Sequence, residues 1–129
     1  MPAQNTVNSG TAYYSQHDTG PPLVRQLVNG DGTAINLLNA DTVTITISHA
    51  RYDHYYSPYP PIVLRGSCVI TDAESGWVSW APGSEDLHTP GAFQYIFEIN
   101  WSDATRQTVP AHTYETLHVR TKPGGIEEP

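Results

Sequence analysis

The feature that constrains the fold most is a two-residue alternation of apolar and polar side chains in two stretches of the chain. In Thr42–Ser48 (TVTITIS), valine or isoleucine occupies every second position, and in Phe93–Trp101 (FQYIFEINW) an aromatic residue or isoleucine does so. Successive side chains of a β-strand point to opposite faces of its sheet, so this period predicts two half-buried strands. We expect their apolar faces to supply much of the core, namely Val43, Ile45, Ile47, Phe93, Tyr95, Phe97 and Ile99.

Weaker strand patterns occupy much of the remaining chain. They are Leu23–Val28, Val63–Thr71, Gly76–Trp80, Arg106–Val109 and Glu115–Thr121. Turn residues separate them, most clearly Asn29-Gly30-Asp31-Gly32, and no stretch has the period of an amphipathic helix. Short strands joined by turns at spacings of about ten residues are typical of a β-sandwich. The sequence therefore predicts an all-β antiparallel sandwich of about seven strands.

The same patterns set the predicted domain limits. A chain of 129 residues has the length of one domain. Residues 1–12 and 122–129 have no periodic apolar face, and we predict that they form flexible arms. The β-sandwich domain is predicted to span residues 13–121.

Charge and cysteine content limit the class of partner. The formal net charge of −7 repels phosphate backbones, so we expect no nucleic-acid partner. The first residues lack the basic and apolar regions of a signal peptide, and no apolar run approaches the roughly 20 residues that span a bilayer, so we expect no membrane partner. The single cysteine, Cys68, has apolar neighbours and is predicted to be a buried thiol in a strand.

Residues that carry chemistry in other proteins do not form a familiar motif here. His49, Asp53 and His54 come nearest to a metal site, but a structural zinc site needs a second pair of Cys or His ligands. Glu85 and Asp86 lie in a polar loop, where a solvated pair is expected rather than a general acid and base. The turn at residues 29–32 lacks the later ligands of a calcium loop. We predict no catalytic residues, no metal and no cofactor.

The most unusual stretch is His49–Pro61, HARYDHYYSPYPP, which holds four of the eight tyrosines and three of the eleven prolines. Tyrosine and arginine are enriched in protein interfaces, and proline lowers the entropy lost when a loop is ordered. The stretch is therefore interpreted as a protein-docking loop, with the tyrosines packing onto their own domain as the alternative. The predicted docking residues are Arg51, Tyr52, His54, Tyr55, Tyr56 and Tyr59.

Several short segments, in order, resemble the amino-terminal module of the phage baseplate upper protein family. The segments are His17–Leu23 (HDTGPPL), Gly30–Gly32, Ile35–Leu37, Ala40–Val43, Val69–Asp72, Gly76–Trp80, Thr89–Gly91 and Val109–Pro110. The resemblance as a whole covers roughly residues 17 to 121. The family pattern has a tight connection after the strand at Thr42–Ser48, whereas this chain inserts the tyrosine-rich loop.

The resemblance implies an immunoglobulin-like sandwich that acts, without catalysis or cofactor, as an attachment module in a tailed-phage virion. It implies other virion proteins as partners, many copies in an assembly, and assembly in the host cytoplasm. A decoration or head-associated protein of the capsid is the alternative to a baseplate or tail component. A second alternative is a carbohydrate-binding module that stacks sugars on Trp77, Trp80, Trp101 or the loop tyrosines, although Trp77 and Trp80 should face opposite sides of a strand.

Overall fold

The computed structural model describes residues 11–49, 62–110 and 115–121, and this part of the chain contains nine β-strands and no α-helix. The strands are β1 (Ala12–Ser15), β2 (Leu23–Gln26), β3 (Ala40–His49), β4 (Ile62–Ser67), β5 (Val69–Asp72), β6 (Trp77–Trp80), β7 (Gly91–Trp101), β8 (Arg106–Val109) and β9 (Glu115–Arg120). Within these residues, nothing helical has the length and hydropathy needed to cross a membrane.

The strands form two sheets. The larger has the order β1-β9-β7-β3-β4, with β8 beside the second half of β7, and the smaller has the order β2-β6-β5. All pairs are antiparallel except β1 and β9, which run parallel. The chain is an immunoglobulin-like β-sandwich, and the predicted fold class is confirmed.

The two alternating strands lie side by side in the centre of the larger sheet. Strand β3 pairs with β7 from Ala40, opposite Trp101, to His49, opposite Phe93. The apolar faces of both strands therefore coincide, because residues opposite each other in a ladder share a face. All seven predicted core residues are buried, with exposed fractions between 0% and 4%.

The predicted strand at Val63–Thr71 is wrong in one respect, since it is two strands in different sheets. Strand β4 belongs to the larger sheet and β5 to the smaller one, and the chain crosses between them at Cys68. The Cys68 N–H still donates to the Val43 carbonyl at 2.9 Å, so this residue follows β3 before the chain leaves the sheet. Cys68 is half-buried between two strands, and not within one as predicted.

Strand β1 was not predicted, because its first residue was assigned to the flexible amino-terminal arm. Ala12 and Tyr14 are buried in the core, with exposed fractions of 0% and 4%. Ala12 pairs with Leu117, and Ser15 pairs with Arg120. The sandwich thus includes Ala12, while residues 1–10 and 122–129 lie outside the described residues.

The turns have the chemistry that the sequence predicted. At the first hairpin, the Asn29 N–H donates to the Thr33 carbonyl at 2.8 Å, and Gly32 has a φ of 90°. Gly76 closes the turn before β6 with a φ of 76°, and a Cβ there would lie 2.7 Å from the carbonyl oxygen of Ile35. Both the backbone conformation and the space at Gly76 require glycine.

Candidate functional site

The tyrosine-rich stretch is anchored at one end of the sandwich, between the central strand β3 and the edge strand β4. Strand β3 ends at His49, and β4 returns to the sheet with Ile62 paired to Ser48. The His49 ring lies against Phe93, with ring centroids 5.5 Å apart. The six predicted docking residues, Arg51, Tyr52, His54, Tyr55, Tyr56 and Tyr59, fall outside the described residues.

The apolar core next to the end of β3 is closely packed. Leu87, in the connection between β6 and β7, is 3% exposed and lines one small space together with Ile47, Phe93 and Leu117. The space left there is an apolar cavity of only about 10 Å³. The Leu87 carbonyl accepts a hydrogen bond from the His17 N–H at 2.7 Å, which ties the connection after β1 to the same part of the core.

The acidic residues Glu85 and Asp86, next to Leu87, both take part in hydrogen bonds of the turn, Asp86 through its carboxylate and Glu85 through its backbone. A carboxylate oxygen of Asp86, Oδ2, accepts a hydrogen bond from the Gly83 N–H at 2.7 Å. The backbone carbonyl of Glu85 accepts one from His88 Nδ1, also at 2.7 Å. Asp86 therefore caps a turn.

Two exposed aspartates have lowered pKa values for the same local reason. The Thr33 hydroxyl and N–H both donate to Asp31 Oδ1, and these hydrogen bonds lower the pKa of Asp31. Thr105 makes the equivalent pair of bonds to Asp103 Oδ1 and lowers the pKa of that carboxyl. Each aspartate thus orders its own turn.

The remaining candidates for chemistry are dispersed. In residues 11–49, 62–110 and 115–121, no three His, Cys, Asp or Glu side chains are close enough to hold a metal ion together. Asp53 and His54, which the sequence grouped with His49, lie outside these ranges. Burial raises the pKa of the Cys68 thiol to about 12, so the reactive thiolate is scarce at neutral pH.

The tryptophans do not form a sugar-stacking platform. Trp80 is 3% exposed and its indole packs against Gly66, where a Cβ would lie 2.4 Å from Nε1. Trp77 lies on the opposite face of β6, as the three-residue spacing predicted. Trp101 is half-buried, with its indole N–H donating to Gln107 at 3.3 Å. The three indoles therefore offer no common surface.

A groove that was not predicted from the sequence lies along the edge of the larger sheet, beside β1 and β9. Its walls include Tyr13 and His118, Ser15 and Arg120, and Asp18 from the connection after β1, and its volume is about 430 Å³. The four strand residues share the outer face because they are two directly paired positions on adjacent strands. The only sequence signal for this groove was the alternation of buried Ala12 and Tyr14 with exposed Tyr13, in a segment too short and polar to stand out.

Comparison with known proteins gives remote likeness to solved structures. No protein-family model matches the chain, and no curated protein matches it. Among solved structures, the chain is similar to the crystal structure of CopC from Methylosinus trichosporium OB3b, with 10% sequence identity and a TM-score of 0.46. The alignment covers 88% of this chain and 86% of that one. A likeness at this level supports no inference about function.

Proposed function

We propose that the protein is a non-enzymatic structural component of a tailed-phage virion, and that it docks other proteins of the baseplate or tail. The ordered resemblance to the baseplate upper protein module supports the virion assignment. The observation that carries the docking role is the anchoring of residues 50–61 between β3 and β4. The resemblance and the anchor are independent, because the family pattern lacks the insertion.

The anchor suits a binding loop for a mechanical reason. Strand β3 is paired along both of its edges, with β7 on one side and β4 on the other. Leu87 fills the base beneath the end of β3. A loop held on such a rigid base loses less conformational entropy when a partner binds, so more of the contact energy appears as affinity.

The composition of the loop supplies the contacts. Tyrosine rings bury large apolar areas while their hydroxyls keep hydrogen bonds, and an arginine fork binds carboxylates or carbonyls in pairs. Truncating an interface hot spot of this type costs about 2 kcal/mol or more, which weakens binding about thirtyfold. We assign this role to Tyr55 and Tyr56 at the middle of the loop, with Arg51 as the fork.

The test is a Tyr55→Ala, Tyr56→Ala double variant, expressed in place of the parent protein during phage growth. We expect it to fold, by circular dichroism and thermal unfolding, yet to enter purified particles poorly. The matched control is Leu38→Ala, an exposed apolar side chain in the connection between β2 and β3, at the opposite end of the sandwich. This control should assemble normally.

Four results would count against parts of the proposal. Normal assembly of the double variant would show that the loop does not dock, and unfolding would show that the tyrosines pack on their own domain. Labelling the protein with gold and locating it on particles by electron microscopy distinguishes a position on the tail from one on the head. Label on the tail tip supports the baseplate role, label on the head replaces it with capsid decoration, and no label on particles refutes the virion assignment.

A further inference from the structure

The groove beside β1 and β9 combines an aromatic surface with a fixed set of hydrogen-bonding groups. Tyr13 and His118 are directly paired across the two strands. Their rings stack with centroids 5.6 Å apart and planes 11° from parallel. Tyr13 is 52% exposed, so the stack presents apolar ring surface to solvent at the edge of the sheet.

Arg120, the positively charged residue of the groove, is held in place by Ser15. Arg120 Nε donates to Ser15 Oγ at 2.9 Å, which fixes the plane of the guanidinium. Among the described residues, the Arg120 side chain makes no other hydrogen bond, so its two amino groups remain available as donors. A guanidinium presents several N–H groups in a rigid fork, and fixing one of them orients the rest.

The hydrogen-bond acceptor of the groove, the Asp18 carboxylate, is held in place as well. His17 adopts a left-handed conformation, with φ of 69°, and turns the chain after β1 back upon itself. This turn brings Asp18 Oδ2 to 2.8 Å from the Ser15 N–H, which donates to it. Tyr14 and Pro21 also line the groove, and the Tyr14 hydroxyl donates to the Pro21 carbonyl at 2.7 Å. The lining is therefore preorganised.

This lining selects a class of ligand. The volume of about 430 Å³ lies in the range of small-molecule pockets, roughly 300–1,000 Å³. An anion would gain from Arg120 but would be repelled by Asp18 and by a chain of net charge −7. A purely apolar ligand would strip water from both charged groups without replacing their hydrogen bonds. A neutral saccharide avoids both costs.

A sugar ring matches each part of the groove. One face of a hexose carries C–H groups that pack on an aromatic ring, and its rim carries hydroxyls that both donate and accept. Arg120 donates to such hydroxyls and Asp18 accepts from them. We propose that the groove formed by Tyr13, Ser15, Asp18, His118 and Arg120 binds a neutral saccharide. This proposal does not depend on the virion assignment.

The first experiment is a two-dimensional amide NMR titration of the whole protein. The probes are the neutral disaccharides lactose, maltose and cellobiose, with glucuronate and inorganic phosphate as anionic comparators. We expect at least one neutral sugar to shift the resonances of Tyr13, Ser15, His118 and Arg120, with a dissociation constant on the order of 1 mM. No shift at these residues with any neutral sugar, or shifts with the anions alone, would overturn the proposal.

Variants then test the geometry. Tyr13→Ala and Arg120→Gln should each weaken binding of the responding sugar at least about tenfold, while Tyr13→Phe keeps the ring and most of the affinity. Leu38→Ala, far from the groove, should bind like the parent. Arg120→Gln alters an exposed side chain, so it remains informative if Tyr13→Ala fails to fold. Parental affinity in Arg120→Gln, or in a folded Tyr13→Ala, would refute the assigned site.

Discussion

Arg25 Nε donates a 2.9 Å hydrogen bond to the Tyr95 hydroxyl, and this bond joins the two sheets inside the sandwich. Arg25 lies on β2 in the smaller sheet, and Tyr95 lies on β7 in the larger one. Both are almost fully buried, at 1% exposed each. A buried guanidinium is tolerated only where its donors are satisfied, so this bond fixes how the sheets meet.

Tyr95→Phe tests that inter-sheet bond. The ring and its packing remain, but Arg25 Nε loses this acceptor in a buried site. Hydrogen bonds to charged groups contribute about 1.5–3 kcal/mol, and we expect a loss of that size in the free energy of unfolding by urea. In a double-mutant cycle with Arg25→Met, the two losses should fall well short of additive. Additive losses would show that the bond contributes nothing.

Gly66→Ala tests the contact between the sheets at Trp80. A Cβ at position 66 would lie 2.4 Å from the indole Nε1, so Trp80 or the backbone of β4 must move. Overpacking of this kind costs about 1–3 kcal/mol of unfolding free energy. Gly30→Ala is the matched control, because a Cβ there meets nothing within 4 Å. Equal stability of the two variants would contradict the packing at Gly66.

Phe97→Ala tests the centre of the core. Phe97 is 3% exposed and is paired with Ile45 on one side and Val109 on the other. Loss of the ring should lower the free energy of unfolding by about 3–5 kcal/mol, measured by urea denaturation. Thr108→Ala, on the exposed face of β8, provides the comparison and should change stability by less than about 0.5 kcal/mol. A small effect at Phe97 would mean that the core collapses around the cavity.

Stability should fall at alkaline pH. Burial raises the pKa of the Cys68 thiol from 9.0 to about 12 and, as the largest cause, that of the Tyr95 hydroxyl from 10.0 to about 12. Both groups hold their protons more tightly in the folded state. Their contribution is complete below the unfolded pKa values and is lost as pH rises from about 9 towards 12.

The direction of this pH effect can be checked by measuring urea unfolding midpoints across that pH range. We expect the midpoint to decline from the point at which the unfolded thiol begins to ionise. Cys68→Ala should remove the earliest part of the decline and leave the later part, which belongs to Tyr95. A midpoint that rises with pH would contradict the burial of both groups.

Sequence patterns predicted the centre of this fold well, because β3 and β7 each bury one complete face and therefore alternate clearly. The edge strands were harder to predict. Residues 62–72 have apolar residues on both sides of Cys68, and no local pattern shows that the chain changes sheets there. Strand β1 is stable only beside β9, a partner about one hundred residues away in sequence, so its own four residues carry a weak signal.

The tyrosine-rich loop and the groove also differ in how well the sequence predicted them. The tyrosine-rich loop was predicted from the sequence because its unusual residues lie in one continuous stretch. The groove was not, because Tyr13 and Arg120 become neighbours only when β1 and β9 pair in parallel. Trp80 was read as a possible stacking residue because a sequence cannot show that Gly66 leaves room for its indole in the core.

The parallel pairing of β1 and β9 also determines how the domain bears tension. The chain enters this pair at Ala12 and leaves it at Arg120, at opposite ends of two strands that run side by side. A force that pulls the two termini apart therefore acts along the strands and loads their hydrogen bonds together in shear. An antiparallel hairpin pulled from its open end would unzip one bond at a time. Tethered through its two ends, this sandwich would resist stretching until the whole β1–β9 ladder slides at once.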